Sequence, residues 1–194
     1  MMTGNLQHVA NEQELHVMLD LETLSSEPDA TIISIGAVAF ETASGISAIG
    51  GDTQFYEAVD PSSSRGHLDA RTMQWWAKQS DQARAVLNAP ARSQDRVLLS
   101  FAEFVFEAAA GRPVNIWGNG ADFDNVVLRN AFKREALEAP WSYRGNRCYR
   151  TLKSLAPHIA FDNPGVAHNA LDDARAQADH AIRIFAWLKS REAK

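Results

Sequence analysis

The chain has 194 residues, 45% apolar and 22% charged, a globular composition long enough to bury a core without disulfides. Its formal charge of −5 argues against a protein that coats nucleic acid through bulk positive charge, and its one cysteine, Cys148, excludes an internal disulfide. It has no run of about 18 apolar residues and no basic-then-apolar leader, so the expectation is a cytoplasmic chain with no membrane span.

The polar start, 1–13, is expected to be loose, and residues 1–194 to form one domain. "LHVMLDLE" reads as a strand. "ATIISIGAVAFE", rich in Ile and Val, reads as a second strand that ends at the turn signal "TASG", and "TQFYEAV" as a third. Short connections between them predict an antiparallel meander. "PSSSRGH" is a loop by composition. The period then changes. "LDARTMQWWAKQ", "DQARAVLNA" and "SQDRVLLSFAEFVFEAAAG" read as helices, the last with apolar residues at three-four spacing and a stop at Gly111 and Pro113. "PVNIWG" is a short strand and "DFDNVVLRNAFKREAL" an amphipathic helix. "RCYRTLKSLA" holds a short strand and helix, and "ALDDARAQADHAIRIFAWLKS" is a long final helix. This order predicts an α/β fold: a central mixed sheet, with a three-strand antiparallel front half and two further strands, flanked by helices.

Asp20 and Glu22 stand at the end of the first strand. Residues two apart on a strand share a face, so the two carboxylates project together, in a segment whose apolar neighbours head for the interior. Such oxygen pairs suit hard cations, although an isolated Asp-x-Glu is more often a solvated strand end. In "WGNGADFDNVVL", Asp122 occupies the position of a helix cap, whereas Asp124, one turn before Leu128, can share that residue's inward side. In "AHNALDDARAQA", His168 falls in a loop, and Asp172 and Asp173 open the last helix about 100° apart, so at most one of them faces inward. Taken singly, surface and helix-dipole roles account for these residues.

The ordered set carries more weight than its parts. Asp-x-Glu at a first strand's end, Phe-Asp opening a helix after a later strand, and His-x4-Asp opening the last helix resemble the DEDDh 3′–5′ exonucleases on the ribonuclease H-like fold. The similarity extends over roughly residues 15 to 190. "LDLETLSSEPDATIISIGAVAFE", "TMQWWAKQ" and "WGNGADFDNVVLRNAF" look closest to the Rv-type exoribonuclease-like branch, which also contains phage exonuclease A. Two departures stand beside the motifs. Gly118-Asn119 replaces the usual His-Asn, and Asn169-Ala170 replaces Arg-Ala.

The resemblance implies a single exonuclease domain in which Asp20, Glu22, Asp124 and Asp173 hold two Mg²⁺ or Mn²⁺ ions. His168 would act as general base, because an imidazole titrates near neutrality. The substrate would be a single-stranded nucleic acid 3′ end, RNA favoured and DNA admitted, cut to nucleoside 5′-monophosphates. Thr23 and Leu24 would touch the terminal nucleotide, and Asn119 would help to orient it. Trp75 and Trp76 cannot share one helix face; one belongs to the core, and the other either stacks on a base or packs with it under the preceding loop. The resemblance also admits a homodimer. Arg65, Arg71, Arg144, Arg147 and Arg150 lie in or near loops and could meet phosphates, without an assigned role. His158 and His180 read as structural or surface residues, and Trp117 as packing. The competing readings are a catalytically idle binding module of the same fold and a small-nucleotide phosphodiesterase. "GNG" lacks the Gly-Lys-Ser/Thr context of a phosphate-binding loop.

Overall fold

The computed structural model describes residues 14–42, 53–120 and 122–192, so the polar start and most of the "TASG" turn lie outside it. In chain order the elements are β1 (Leu15–Thr23), β2 (Ile32–Phe40), β3 (Gln54–Ala58), α1 (Ala70–Trp76), α2 (Asp81–Arg84), α3 (Gln94–Ala109), β4 (Val114–Gly118), α4 (Asp124–Arg134), β5 (Asn146–Cys148), α5 (Tyr149–Ser154) and α6 (Ala170–Glu192). The strands form one sheet in the order β3-β2-β1-β4-β5. β1–β2 and β2–β3 are antiparallel, while β1–β4 and β4–β5 are parallel. The mixed α/β sheet expected from the sequence is the one that forms, with β1 at its centre.

Alternation along β1 divides the molecule. Leu15, Val17, Leu19 and Leu21 enter a core with Val97, Leu98, Phe101 and Val105 of α3 and Val127, Leu128 and Phe132 of α4. The residues between them face α6. Met18 packs there with Val38, Phe40, Trp117, Tyr149 and the α6 alanines Ala174, Ala178 and Ala181. Those alanines let α6 lie close to the sheet. The closest approach is at Gly36, which pairs with Asp20 across the β1–β2 ladder. A Cβ at Gly36 would sit 2.2 Å from the carbonyl carbon of Ala170, so only glycine admits the first turn of α6 at this point.

Local chemistry explains most boundaries. Asp69 caps α1 by accepting the backbone N–H groups of Arg71 and Thr72. α3 ends at Ala110 and Gly111, with φ of 48° and 83°. The segment "DQARAVLNA" is less regular than expected. α2 is one short turn that tightens into a 3-10 turn over Ala85–Asn88, and Ala89, held extended before Pro90, ends it. "PSSSRGH" also contains a 3-10 turn, Pro61–Ser63, capped by Asp60. Asp122 is not the cap of α4. It is exposed, and the cap position falls to Phe123, whose side chain makes no capping bond. The carboxylate that serves backbone N–H groups here is Asp124, which accepts those of Leu21 in β1 and of Asn119 just after β4. No helix among the described residues is long and apolar enough to cross a membrane.

Candidate active site

Three elements converge at the C-terminal end of β1. The strand supplies Asp20, half-buried, and Glu22, buried, both on the face turned toward α6. α4 supplies Asp124 at its first residue, packed so tightly under the end of β4 that a Cβ at Gly118 would lie 3.0 Å from the Asp124 Cβ and 2.3 Å from Asn125 Oδ1. Asp124 Oδ1 accepts the backbone N–H of Leu21 at 3.2 Å, and its Oδ2 accepts that of Asn119 at 3.0 Å. Leu21 lies between the two β1 acids, so this bond fastens α4 to the strand at the centre of the cluster. α6 supplies Asp173 from its first turn.

The loop before α6 is folded around that same aspartate. Asp173 Oδ2 accepts the backbone N–H of His168 at 2.9 Å, and its Oδ1 accepts the Asn163 amide at 2.7 Å. Asp172 points away from the cluster, accepts the Val166 backbone N–H at 3.0 Å and pairs with Arg175. His168 itself has a φ of 63°, the left-handed region that a non-glycine residue enters at an energetic cost and that clusters at functional sites. The turn brings its ring to the acids: one ligand atom each from Glu22, His168 and Asp173 lie within 4.8 Å of one another.

Four carboxylates in one half-dry site repel one another. Burial holds Asp20 well above the usual carboxylate range, and the charges of Asp124, Glu22 and Asp173 push it further, against the pull of a hydrogen bond from Gln177. Burial pushes Glu22 up to about 8, aided by Asp173 and Asp124. Asp124 is raised by burial to about 6, restrained by the N–H groups of Asn119 and Leu21 and by the Arg150 guanidinium. Asp173 is raised by burial and restrained by the His168 N–H. An all-oxygen carboxylate set with this unrelieved repulsion fits a hard divalent cation such as Mg²⁺ or Mn²⁺, which would favour the ionised form of every member.

The residues expected to touch substrate surround this cluster unequally. Thr23 is buried, and its hydroxyl donates to the Ser25 carbonyl at 2.7 Å. Leu24 packs with Ile33, Trp76 and Ala83 and is only 8% exposed. Trp76 is buried, with its indole N–H donating to the Thr23 carbonyl at 2.8 Å. Trp75 is 41% exposed, and its ring stands edge-on to His168 with centroids 4.8 Å apart. A groove of about 650 Å³ opens beside His168, between Gln79, Ser80 and Gln82 on one side and Val166 and Ala167 on the other. Asn119 is exposed; its N–H holds Asp124 and its carbonyl accepts Arg150 Nη2 at 2.7 Å. Two participants went unread in the sequence. Gln177 donates to Asp20 Oδ1 at 2.9 Å and stands one turn after Asp173, a spacing that could have revealed it. Asn163 reaches the site from a loop, with no local period to betray it, while Arg150, one of the arginines without an assigned role, reaches it from α5.

A sheet with β1 at its centre, helices on both faces, and acids on β1, α4 and α6 beside a loop histidine is the ribonuclease H-like fold of solved DEDDh nucleases. The nuclease domain of 3′hExo, a DEDDh family member bound to rAMP, is similar at a TM-score of 0.62, with 16% identity over 89% of this chain and 92% of that one. S. pombe Pop2p in its Mg²⁺- and Mn²⁺-bound form is similar at a TM-score of 0.56, with 15% identity over 91% of this chain and 83% of that one. No curated protein matches the sequence significantly. The chain belongs to the Rv2179c-like family, whose 3′–5′ exoribonuclease domain matches residues 15–185.

Proposed function

We propose that the protein is a divalent-metal-dependent 3′–5′ exonuclease that removes nucleoside 5′-monophosphates from single-stranded nucleic acid, with RNA preferred. The observation that carries this reading is the convergence of Glu22, His168 and Asp173 within 4.8 Å, beside Asp20 and Asp124, in a chain of the Rv2179c-like exoribonuclease family. Asp20, Glu22, Asp124 and Asp173 would hold Mg²⁺ or Mn²⁺. Two such ions, when bound, supply Lewis acidity at the attacking and leaving oxygens of the phosphodiester.

The chain's own residues do the rest. Asp124, fixed by the Leu21 and Asn119 N–H groups, presents its carboxylate without a search of rotamers. His168, anchored by its backbone on Asp173, accepts the proton of the attacking water at a ring nitrogen. The phosphorus–O3′ bond breaks, and the shortened strand keeps a 3′-hydroxyl. Trp75 offers its exposed ring to a base near the scissile bond, while Trp76 holds the Thr23–Leu24 backbone against which the terminal nucleotide rests. Arg150 stands at the rim, ready for a phosphate that must approach four acids.

The test is cleavage of 5′-labelled single-stranded RNA and DNA of one sequence with Mg²⁺, Mn²⁺ or EDTA, beside Asp20→Ala and His168→Ala. A metal-dependent ladder shortening from the 3′ end, lost in both variants, is expected, faster on RNA. Full activity of His168→Ala would remove it as the base. Cleavage of a dinucleotide but not of a longer strand would identify a small-nucleotide phosphodiesterase, and binding without cleavage an idle module.

A further inference from the structure

Asp20 is the deepest of the four acids in the electrostatic sense: all three others raise its proton affinity. Like Asp173, which accepts the Asn163 amide, it has a neutral side chain as its hydrogen-bond partner. Gln177 Nε2 donates to Asp20 Oδ1 at 2.9 Å, and Gln177 is only 4% exposed. Its position follows from α6. Asp173 and Gln177 are one turn apart on the helix face that meets β1, so the acid lies opposite Glu22 and the amide opposite Asp20. Ala174 and Ala178, fully buried beside them, hold the helix close enough for a glutamine to reach.

The chemistry of the amide matters as much as its reach. A lysine or arginine in this place would neutralise Asp20 and compete with a cation for it. An acid would add a fifth negative charge. An apolar residue would leave Asp20 Oδ1 buried without a donor. A primary amide donates a hydrogen bond to the carboxylate while leaving its full charge available. Since the amide must donate here, its orientation is set, and its Oε1 is buried with no hydrogen-bond partner among the described residues. A buried acceptor left open in this way is suited to an ordered water.

We infer that Gln177 is a positioning residue for metal loading: it orients Asp20 through Oδ1 and thereby sets the affinity of the four-acid cluster for divalent ions. The inference rests on the metal reading proposed above, and it goes beyond that reading by assigning the affinity to a residue outside the acid-histidine set. Groups that orient ligands from behind change metal affinity by roughly 10- to 100-fold when removed.

The experiment compares wild type with Gln177→Met, which keeps length and volume but has no donor. Mn²⁺ binding to the protein without substrate is followed by the electron paramagnetic resonance of free Mn²⁺. The Mg²⁺ concentration for half-maximal cleavage is measured in parallel, and the melting temperature in EDTA reports the fold. Gln177→Met is expected to weaken Mn²⁺ binding by roughly 10-fold or more and to raise half-saturating Mg²⁺ by a similar factor, with a much smaller fall in kcat at saturating metal. A merely structural glutamine would lower the melting temperature without moving either metal constant, and that outcome overturns the inference. If Gln177→Met does not fold, Gln177→Asn, which retracts the amide by one carbon, is read by the same two constants; wild-type values would again overturn the proposal. Failure here is distinct from failure of the metal reading, because wild type would still bind Mn²⁺ and Asp20→Ala would still lose it.

Discussion

The two faces of β1 obey opposite rules. Toward α3 and α4 the strand presents Leu15, Val17, Leu19 and Leu21 to a core of large apolar side chains, in which every member is stabilised by its neighbours. Toward α6 the same strand presents Asp20 and Glu22, whose neighbours, Asp124 and Asp173, make their ionised forms less favourable. One face stores stability and the other spends it on a cluster of charge. The strand can carry both because side chains alternate with a period of two, and the apolar face secures the backbone that the acids need.

Substitution on the charged face gives the largest contrast. Asp20→Asn is expected to lower cleavage by at least about a thousandfold, ~4 kcal/mol of barrier, while raising the melting temperature in EDTA because one repelling charge is gone. Loss of both activity and stability would show that Asp20 is needed for folding, and the two faces would then not be opposites. On the apolar face, Phe101→Ala should destabilise by about 3–5 kcal/mol in urea titration, since Phe101 is fully buried. Its Mn²⁺ affinity, measured where the variant is folded, should stay at the wild-type value.

The pH dependence sharpens the contrast further. Burial lifts Glu22 from 4.5 to about 8, so the folded protein without metal holds a proton there that the unfolded chain has released. Stability in EDTA should therefore be greatest below 4.5 with respect to this group, and should fall as pH rises toward about 8. Saturating Mg²⁺ should reverse that fall, with the larger gain in melting temperature at the alkaline end. A melting temperature in EDTA independent of pH across this window would mean that the repulsion is relieved by other means. The smallest expected effect lies at the rim. Arg150→Ala should raise KM by about threefold to tenfold with kcat nearly constant, and should reduce the salt slope of binding by about one. An unchanged KM and salt slope would leave Arg150 as a structural tie to Asn119.

What was legible in the sequence followed from local period and capping. The three front strands, the amphipathic α3 and α4, and the split of "RCYRTLKSLA" into β5 and α5 all carry their signal within a few residues. The family motifs likewise sit on contiguous stretches. The misreadings are where a distant segment overrides a local preference. Asp122 has every local qualification for a helix cap, but the carboxylate engaged by backbone N–H groups is Asp124, because β1 and β4 offer their ends to it. The left-handed φ of His168 is set by its N–H bond to Asp173 and has no compositional mark. Gly36 likewise carries no local mark of its role, which is set by the backbone of Ala170 lying against it.

The ends of the site lie far apart in the chain. Asp20 arises on the first strand and Asp173 on the last helix, with every other described element between them. During translation the first acid pair emerges early, but the cluster cannot close until α6 has left the ribosome and docked over Gly36. Until then the β1 acids stand without the helix residues that face them, Asp173 opposite Glu22 and Gln177 opposite Asp20, so the order of the elements delays assembly of the site.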